Sequence, residues 1–385
     1  MAADMIDLMG EPGRITVNLD AYVIPDDHVI LKCSPGKTYR FYLAVRDAKV
    51  VFPDIRGLET LKGSPDQWTD EQMLEVIAAD RWQRELVSRA RGNKEQGAEG
   101  VGKIDRRNLT FLKRIFFEGR KGDLVVVPVE GYAKDVLIGE LLTDPGDVRA
   151  VEAKDGDYFG AYFGRAVRWR TAVQKLALSE ELITALHTQT AVFALARSLH
   201  EEVYRHAYGN FVFGGHFVSE FRTAKKKFTA EDMSVVSTWL NGFDYLRHEM
   251  AQDPNLSLPD QMGFYQMGLE PVPDDNAAEL QINIQSPGEI FVRTIGPFAL
   301  ALMAMLPLAA CSPAEVVNNG VTVNLKKVGG ATSDVQGQVE ECVNAMARAL
   351  GECRLQEANG LGTRAESDAG MSTGAALKVA PKGSK

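Results

Sequence analysis

Residues 121–142, KGDLVVVPVEGYAKDVLIGELL, hold two strand-like runs, LVVVPV and DVLIGELL, around a turn-rich middle. After the turn DPGD, GRAVRWR at 164–170 adds another run of the same kind. Short Val, Ile and Leu runs punctuated by Pro and Gly predict strands. The same texture begins at Val29, where VILKC, the turn SPGK, TYRFYLAV and KVVFPDIRGL all read as short β-type runs.

Two helical patterns interrupt these strands. In 69–91, Met73, Leu74, Ile77, Trp82 and Leu86 take amphipathic spacing, with Asp70 and Glu71 at the helix start. A polar, glycine-containing segment, GNKEQGAEGVG, reads as a mobile loop, and RRNLTFLKRIFFEGRKGD returns to helical spacing as far as Gly119. Residues 1–25 read as a loose lead-in. Past a boundary near 171–180, residues 180–208 read as one long helix, and GNFVFGGHFVSEF as a strand or ordered loop. FTAEDMSVVSTWLNGFDYLRHEM is a capped helix with Thr229 as N-cap and Asp232 three residues on. PNLSLPDQMGFYQMGLEPVPDDN reads as a linker, ELQINIQ and GVTVNLKKV as strands, and 334–355 as a helix. The expected fold class is therefore α+β. A β-rich domain at 28–175 precedes a helical domain at 176–255 and a small α+β module with an apolar helix at 276–355. The Gly-, Ala-, Ser- and Lys-rich stretch 356–385 reads as a disordered tail.

A net charge of −9 argues against a generally basic nucleic-acid binder but allows a local basic face. Residues 81–121 carry such an excess: twelve Lys or Arg against five Asp or Glu. Arg165, Arg168 and Arg170 add to it. Cys33, Cys311, Cys342 and Cys353 form no CxxC, which predicts neither a zinc site nor a disulfide framework and suits a reducing cytoplasm. The first residues lack the basic and apolar regions of a signal peptide.

The order GD-strand-P, a strand ending in Gly-Glu, then Arg-x-Val-x-Trp resembles the PUA-like and EVE-like domains of prokaryotic restriction and anti-phage conflict proteins. It is similar in particular to the N-terminal sensor modules that accompany Mrr-type nucleases. The matching residues are Gly122, Asp123, Pro128, Gly139, Glu140, Arg165, Val167 and Trp169, within 28–175. The resemblance implies a small curved β-barrel that offers a cleft to nucleic acid, often to a modified base. The chain departs from that pattern by a basic, Gly-containing insertion around 89–107.

On this reading phosphates are bound by charge and bases by aromatic stacking. The candidate nucleic-acid-binding residues are Arg106, Arg107, Lys113, Arg114, Arg165, Arg168, Arg170, Tyr42, Tyr162 and Trp169, with Tyr39, Phe41 and Tyr158 as further candidates for an aromatic wall. The competing structural reading puts the aromatics in a barrel core and the arginines on a solvated face. Strand alternation sets Arg168 and Arg170 on one face, and Arg165, Val167 and Trp169 on the other.

Catalytic patterns are missing. HEEVYRH at 200–206 spaces its histidines by six, whereas a helical zinc pair needs four. There is no Walker loop, GxSxG or GxGxxG, and ELQIN carries no partner Lys for a nuclease metal site. YGNFVFGGHFVSEF is either a ligand-contacting loop or a tight turn. The uncharged apolar core IGPFALALMAMLPLAAC within 294–314 is a buried helix, a membrane span or an oligomer interface, and it falls short of the roughly 20 residues that cross a bilayer.

The expected function is non-catalytic: a sensor or adaptor of a prokaryotic restriction or anti-phage defence system, cytoplasmic and without cofactor. It would bind nucleic acid, DNA rather than RNA, with a modified base among its ligands, and pass the signal to a partner defence protein or a homo-oligomer. The alternative is a defence effector at the inner membrane, reached through 294–314, whose first domain binds a nucleotide second messenger. A structural scaffold without nucleic acid is the third reading.

Overall fold

The computed structural model describes residues 14–90, 100–131, 134–155, 158–253, 256, 258–273, 277–283, 288–329, 331 and 334–378. The fold is mixed α+β with two sheets. The chain forms two compact units, Asp27–Ala207 and the combination of Met1–Asp26 with Tyr208–Lys385. One unit is thus inserted in the sequence of the other, after the first strand, β1 (Ile15–Val23). The boundary expected near 171–180 falls instead at 207, and the lead-in expected at 1–25 contains β1. Its residues alternate in burial, with Val17, Leu19, Ala21 and Val23 facing the core.

In the Asp27–Ala207 unit, β2 (Ile30–Cys33) is buried along its whole length. It is followed by α1 (Tyr42–Ala48), β3 (Val50–Val51), α2 (Asp70–Ala90) and α3 (Lys103–Lys113). A π-turn at Arg114–Glu118 extends α3 before β4 (Leu124–Val127), β5 (Asp135–Leu141), β6 (Arg149–Asp155) and the 17-residue β7 (Tyr158–Gln174). The unit ends with α4 (Glu180–His187), β8 (Val192–Ala194) and α5 (His200–Tyr208). Its sheet runs β3-β7-β5-β4-β2-β8, with β6 also paired to β7. The β2–β4 pair is parallel, in register Ile30↔Leu124. Burial on both faces explains why VILKC and LVVV are near-continuous apolar runs.

Two expectations fail here for physical reasons. TYRFYLAV, read as a strand, forms α1, because Tyr42 and Val45 go into the core three residues apart. Aromatic and β-branched composition gave the wrong period. The single helix expected at 180–208 is broken after His187. The Lys32 ammonium takes the carbonyls of Thr188 and Thr190, at 3.2 and 2.6 Å, and β8 pairs with the edge of β2.

The second unit adds β9 (Asn210–Phe213), β10 (His216–Thr223), α6 (Ala230–Gln252), α7 (Phe264–Met267), β11 (Glu279–Asn283), β12 (Gly288–Ile295) and α8 (Phe298–Leu308). It closes with α9 (Pro313–Asn319), β13 (Val321–Lys327), α10 (Val335–Ser367), β14 (Met371–Thr373) and β15 (Ala375–Leu377). Its sheet runs β11-β12-β10-β9-β1-β13, with β14 on β10 and β15 on β1. The region expected to be a disordered tail thus supplies, up to Leu377, the end of α10 and two strands of this sheet.

The core of this unit lies on one face of the sheet, against α6, α8 and α10. The apolar run of 294–314 contains α8, eleven residues of which all but Pro307 are buried. That length spans about 16 Å, roughly half a bilayer core. No helix among the described residues is long and apolar enough to cross a membrane. The Thr229 cap forms as the sequence predicts: its hydroxyl accepts the Asp232 N–H at 3.3 Å, and Asp232 accepts the Thr229 N–H at 2.7 Å. The free edge of β13 is covered by side chains of α10. Asn344 accepts the Val321 N–H and donates to the Val321 carbonyl, at 2.7 and 2.9 Å, and Glu340 accepts the Val323 N–H at 2.9 Å.

Candidate nucleic-acid interface

Helix α3 sorts its residues by face. Asp105, Leu109 and Leu112 are buried, while Lys103, Arg106, Arg107 and Thr110 recur at three- and four-residue spacing and are exposed. Asp105 anchors the helix from below: it accepts the Gly102 N–H at 2.7 Å and binds Arg81 of α2 at 2.9 Å. The cations on the outer face therefore have no acid of their own helix facing them. Among the described residues Lys103, Arg106 and Arg107 form no ion pair, and the Arg107 guanidinium rests over the Phe111 ring at 5.8 Å. Among the described residues, this stripe is a part of the basic excess that remains available to a ligand.

The other basic candidates are engaged to different degrees. Lys113 pairs with Asp70 at 3.0 Å, a contact open to solvent. Arg114 donates to the Val192 carbonyl at 3.1 Å and lies 3.8 Å from Glu118. Arg40 and Arg84 share Asp54, and Arg56 and Arg84 share Asp80, in one network that ties α2 to the segment before it. The paired guanidiniums around Asp54 hold its carboxyl below the ordinary value although burial opposes this.

Arg165 is fully buried, which removes it from any ligand face. Its guanidinium donates to the carbonyls of Ile115, Phe116 and Gly119 at 3.1, 3.3 and 2.9 Å. It also binds the hydroxyl and carbonyl of Thr143. It collects the carbonyls left open where the π-turn ends. Tyr162 is likewise fully buried and packs on Phe41 and Phe52, with ring centroids 4.8 and 5.2 Å away. Tyr42 is buried and gives its hydroxyl to the Asp135 carbonyl. Tyr162, Tyr42 and Phe41 lie in the core, as the structural reading has it, and the expected aromatic wall loses them; Arg165 is interior too, and so fits neither a ligand face nor the solvated face of that reading. The side chain of Tyr158 and the loop 91–99 lie outside the described residues.

Arg168 and Arg170 meet on Glu140, at 2.9 and 3.5 Å. The β5–β7 register shifts between Ile138 and Gly139, so that Gly139 faces Trp169 and Glu140 faces Arg168. The indole lies against Gly139, where a Cβ would come 2.6 Å from the ring. Its N–H donates to the Arg46 carbonyl at 2.9 Å, fastening α1 to β7. Trp169 is half-buried and Arg168 is exposed.

GNFVFGGHFVSEF is a hairpin. Phe213 pairs with His216, and Gly214 and Gly215 form the two-residue turn, both at positive φ. Among the described residues no group of three or more His, Cys, Asp or Glu side chains is placed to hold a metal ion. Lys103 was not among the candidates, although its place one helical turn before Arg106 and Arg107 marks it in the sequence. No family model, curated protein or solved structure matches the chain.

Proposed function

We propose that the chain is a non-catalytic nucleic-acid-binding protein that grips the phosphate backbone through the outer face of α3. The observation that carries this reading is the run of Lys103, Arg106 and Arg107, three exposed cations on one helical face with no carboxylate partner among the described residues. Phosphate contacts of this kind fix position without reading sequence. With Tyr42 and Tyr162 in the core, Trp169 and its neighbour Arg168 are the candidates we favour for contact to a base, modified or not. A sensor or adaptor role in a restriction or anti-phage system rests on the resemblance of 28–175 to PUA-like and EVE-like domains. The reading as a membrane-acting effector is weakened by α8, which lies in the core.

The test is titration of labelled duplex DNA and RNA by fluorescence anisotropy between about 50 and 200 mM salt, a range over which phosphate binding changes steeply. Replacing Lys103, Arg106 and Arg107 with Ala together should weaken binding to all sequences alike. It should also flatten the plot of log affinity against log salt by about 3 units, near one per lost phosphate contact on duplex DNA. Duplex DNA should bind more tightly than RNA. An unchanged affinity and slope in the triple variant would remove α3 from the interface.

A further inference from the structure

Three side chains meet where the chain enters and leaves the Asp27–Ala207 unit. His28 lies at its beginning, and His200 and Tyr204 lie one helical turn apart on α5 at its end. All three are buried. The Tyr204 hydroxyl sits between the two rings, 2.9 Å from His28 Nδ1 and 3.3 Å from His200 Nδ1. The far nitrogen of each ring faces a main-chain carbonyl: His28 Nε2 is 3.0 Å from the Gly122 oxygen, and His200 Nε2 is 3.2 Å from the Leu195 oxygen.

Proton counting makes this arrangement sensitive to pH. A carbonyl only accepts, so both Nε2 atoms carry protons. When both rings are neutral, both Nδ1 atoms present lone pairs to Tyr204, whose single hydroxyl proton serves one of them at a time. One added proton completes the chain: the charged ring donates to the Tyr204 oxygen, and the hydroxyl donates to the other ring. A second added proton sets two cations against one oxygen.

Asp123, buried beside His28, accepts the N–H groups of Val29 and Arg120. Asp27, paired with Arg120, and Glu140 also favour a charged His28, whereas Arg197 disfavours a charged His200. Burial opposes charge on either ring and is the largest influence on both, pulling each below the ordinary histidine value.

We propose that His28, Tyr204 and His200 form a clasp between the incoming and outgoing segments of the unit, closed by one added proton and opened by a second. The test is an NMR titration of the ring nitrogens in the full chain labelled at histidine. The two rings should report the first step with one common midpoint, and the second step should lie at least about one pH unit lower, as for any strongly interacting pair. Amide exchange along α5 should be slowest between the two steps. In Tyr204→Phe the common midpoint should split into separate ring midpoints, and the exchange minimum should disappear. Separate, independent midpoints in the unaltered protein would overturn the proposal, as would a folded Tyr204→Phe with the same titration. If that variant does not fold, the titration of the unaltered protein decides by itself.

Discussion

The guanidinium of Arg165 donates a 2.9 Å hydrogen bond to the main-chain carbonyl of Gly119, where the chain leaves the π-turn after α3. Through this bond and its neighbours β7 holds the base of the helix that carries the basic stripe. Arg165→Met should leave several buried carbonyls without a donor. Each such group costs about 1–3 kcal/mol, so the full loss should reach about 3 kcal/mol or more. Chemical denaturation measures it. A variant as stable as the parent would show that the carbonyls find other donors.

Trp169→Phe should remove the N–H bond to Arg46 and leave a gap beside Gly139. Reshaping a packed site of this kind costs about 1–3 kcal/mol. If Trp169 also meets a base, affinity for nucleic acid falls further than stability explains. A lower melting temperature with unchanged affinity would leave Arg168 as the residue of this surface to retain.

Stability should rise with pH just above 8. Burial pushes the Lys32 ammonium from 10.5 down to about 8 and the Cys33 thiol from 9.0 up to about 12. Between 8 and 10.5 the unfolded chain holds a Lys32 proton that the folded chain has released, so folding is favoured as pH rises. Above 9.0 the folded chain keeps the Cys33 proton that the unfolded chain loses, which works the other way, and Cys342 acts in the same sense. Two thiols then oppose one ammonium, so denaturation midpoints should climb from pH 8 to 9 and turn down above it. Lys32→Met should abolish the climb, and a climb that persists in that variant would assign it elsewhere.

Asn344→Ala should uncover the edge of β13. The Val321 N–H and carbonyl would lose their partners, at about 1–3 kcal/mol for a buried unsatisfied group. An open strand edge also invites pairing with another chain. Sedimentation at increasing concentration should show more self-association than the parent, and equal behaviour would mean the edge is guarded by other means.

Local chemistry made part of this fold legible. The Thr229–Asp232 cap, the α2 and α3 spacings and the runs LVVVPV and DVLIGELL state their structure within a few residues. What depended on distant partners was hidden. TYRFYLAV turned helical because its neighbours bury Tyr42 and Val45. Residues 188–194 left the helix because Lys32 and β2, more than 150 positions earlier, claim them. Arg165, Arg168 and Arg170 look equivalent in GRAVRWR. Only the shifted register against β5 and the open carbonyls near Gly119 decide that one is interior and two share Glu140. The tail 371–377 carries small residues without a strong period, and it is a strand pair because β10 and β1 receive it.

The placement of β1 sets a waiting time during synthesis. Thr16 and Thr322 stand side by side in the parallel β1–β13 pair although 306 positions separate them. At a typical elongation rate of about 5–20 residues per second, β1 leaves the ribosome roughly 15–60 s before β13 does. During that interval the whole Asp27–Ala207 segment emerges, with its own sheet and core, while the apolar face of β1 has no finished sheet to join. The vulnerable species in the life of this chain is therefore the nascent one, and a chaperone that shields ITVNLDAYV would act before any ligand is met.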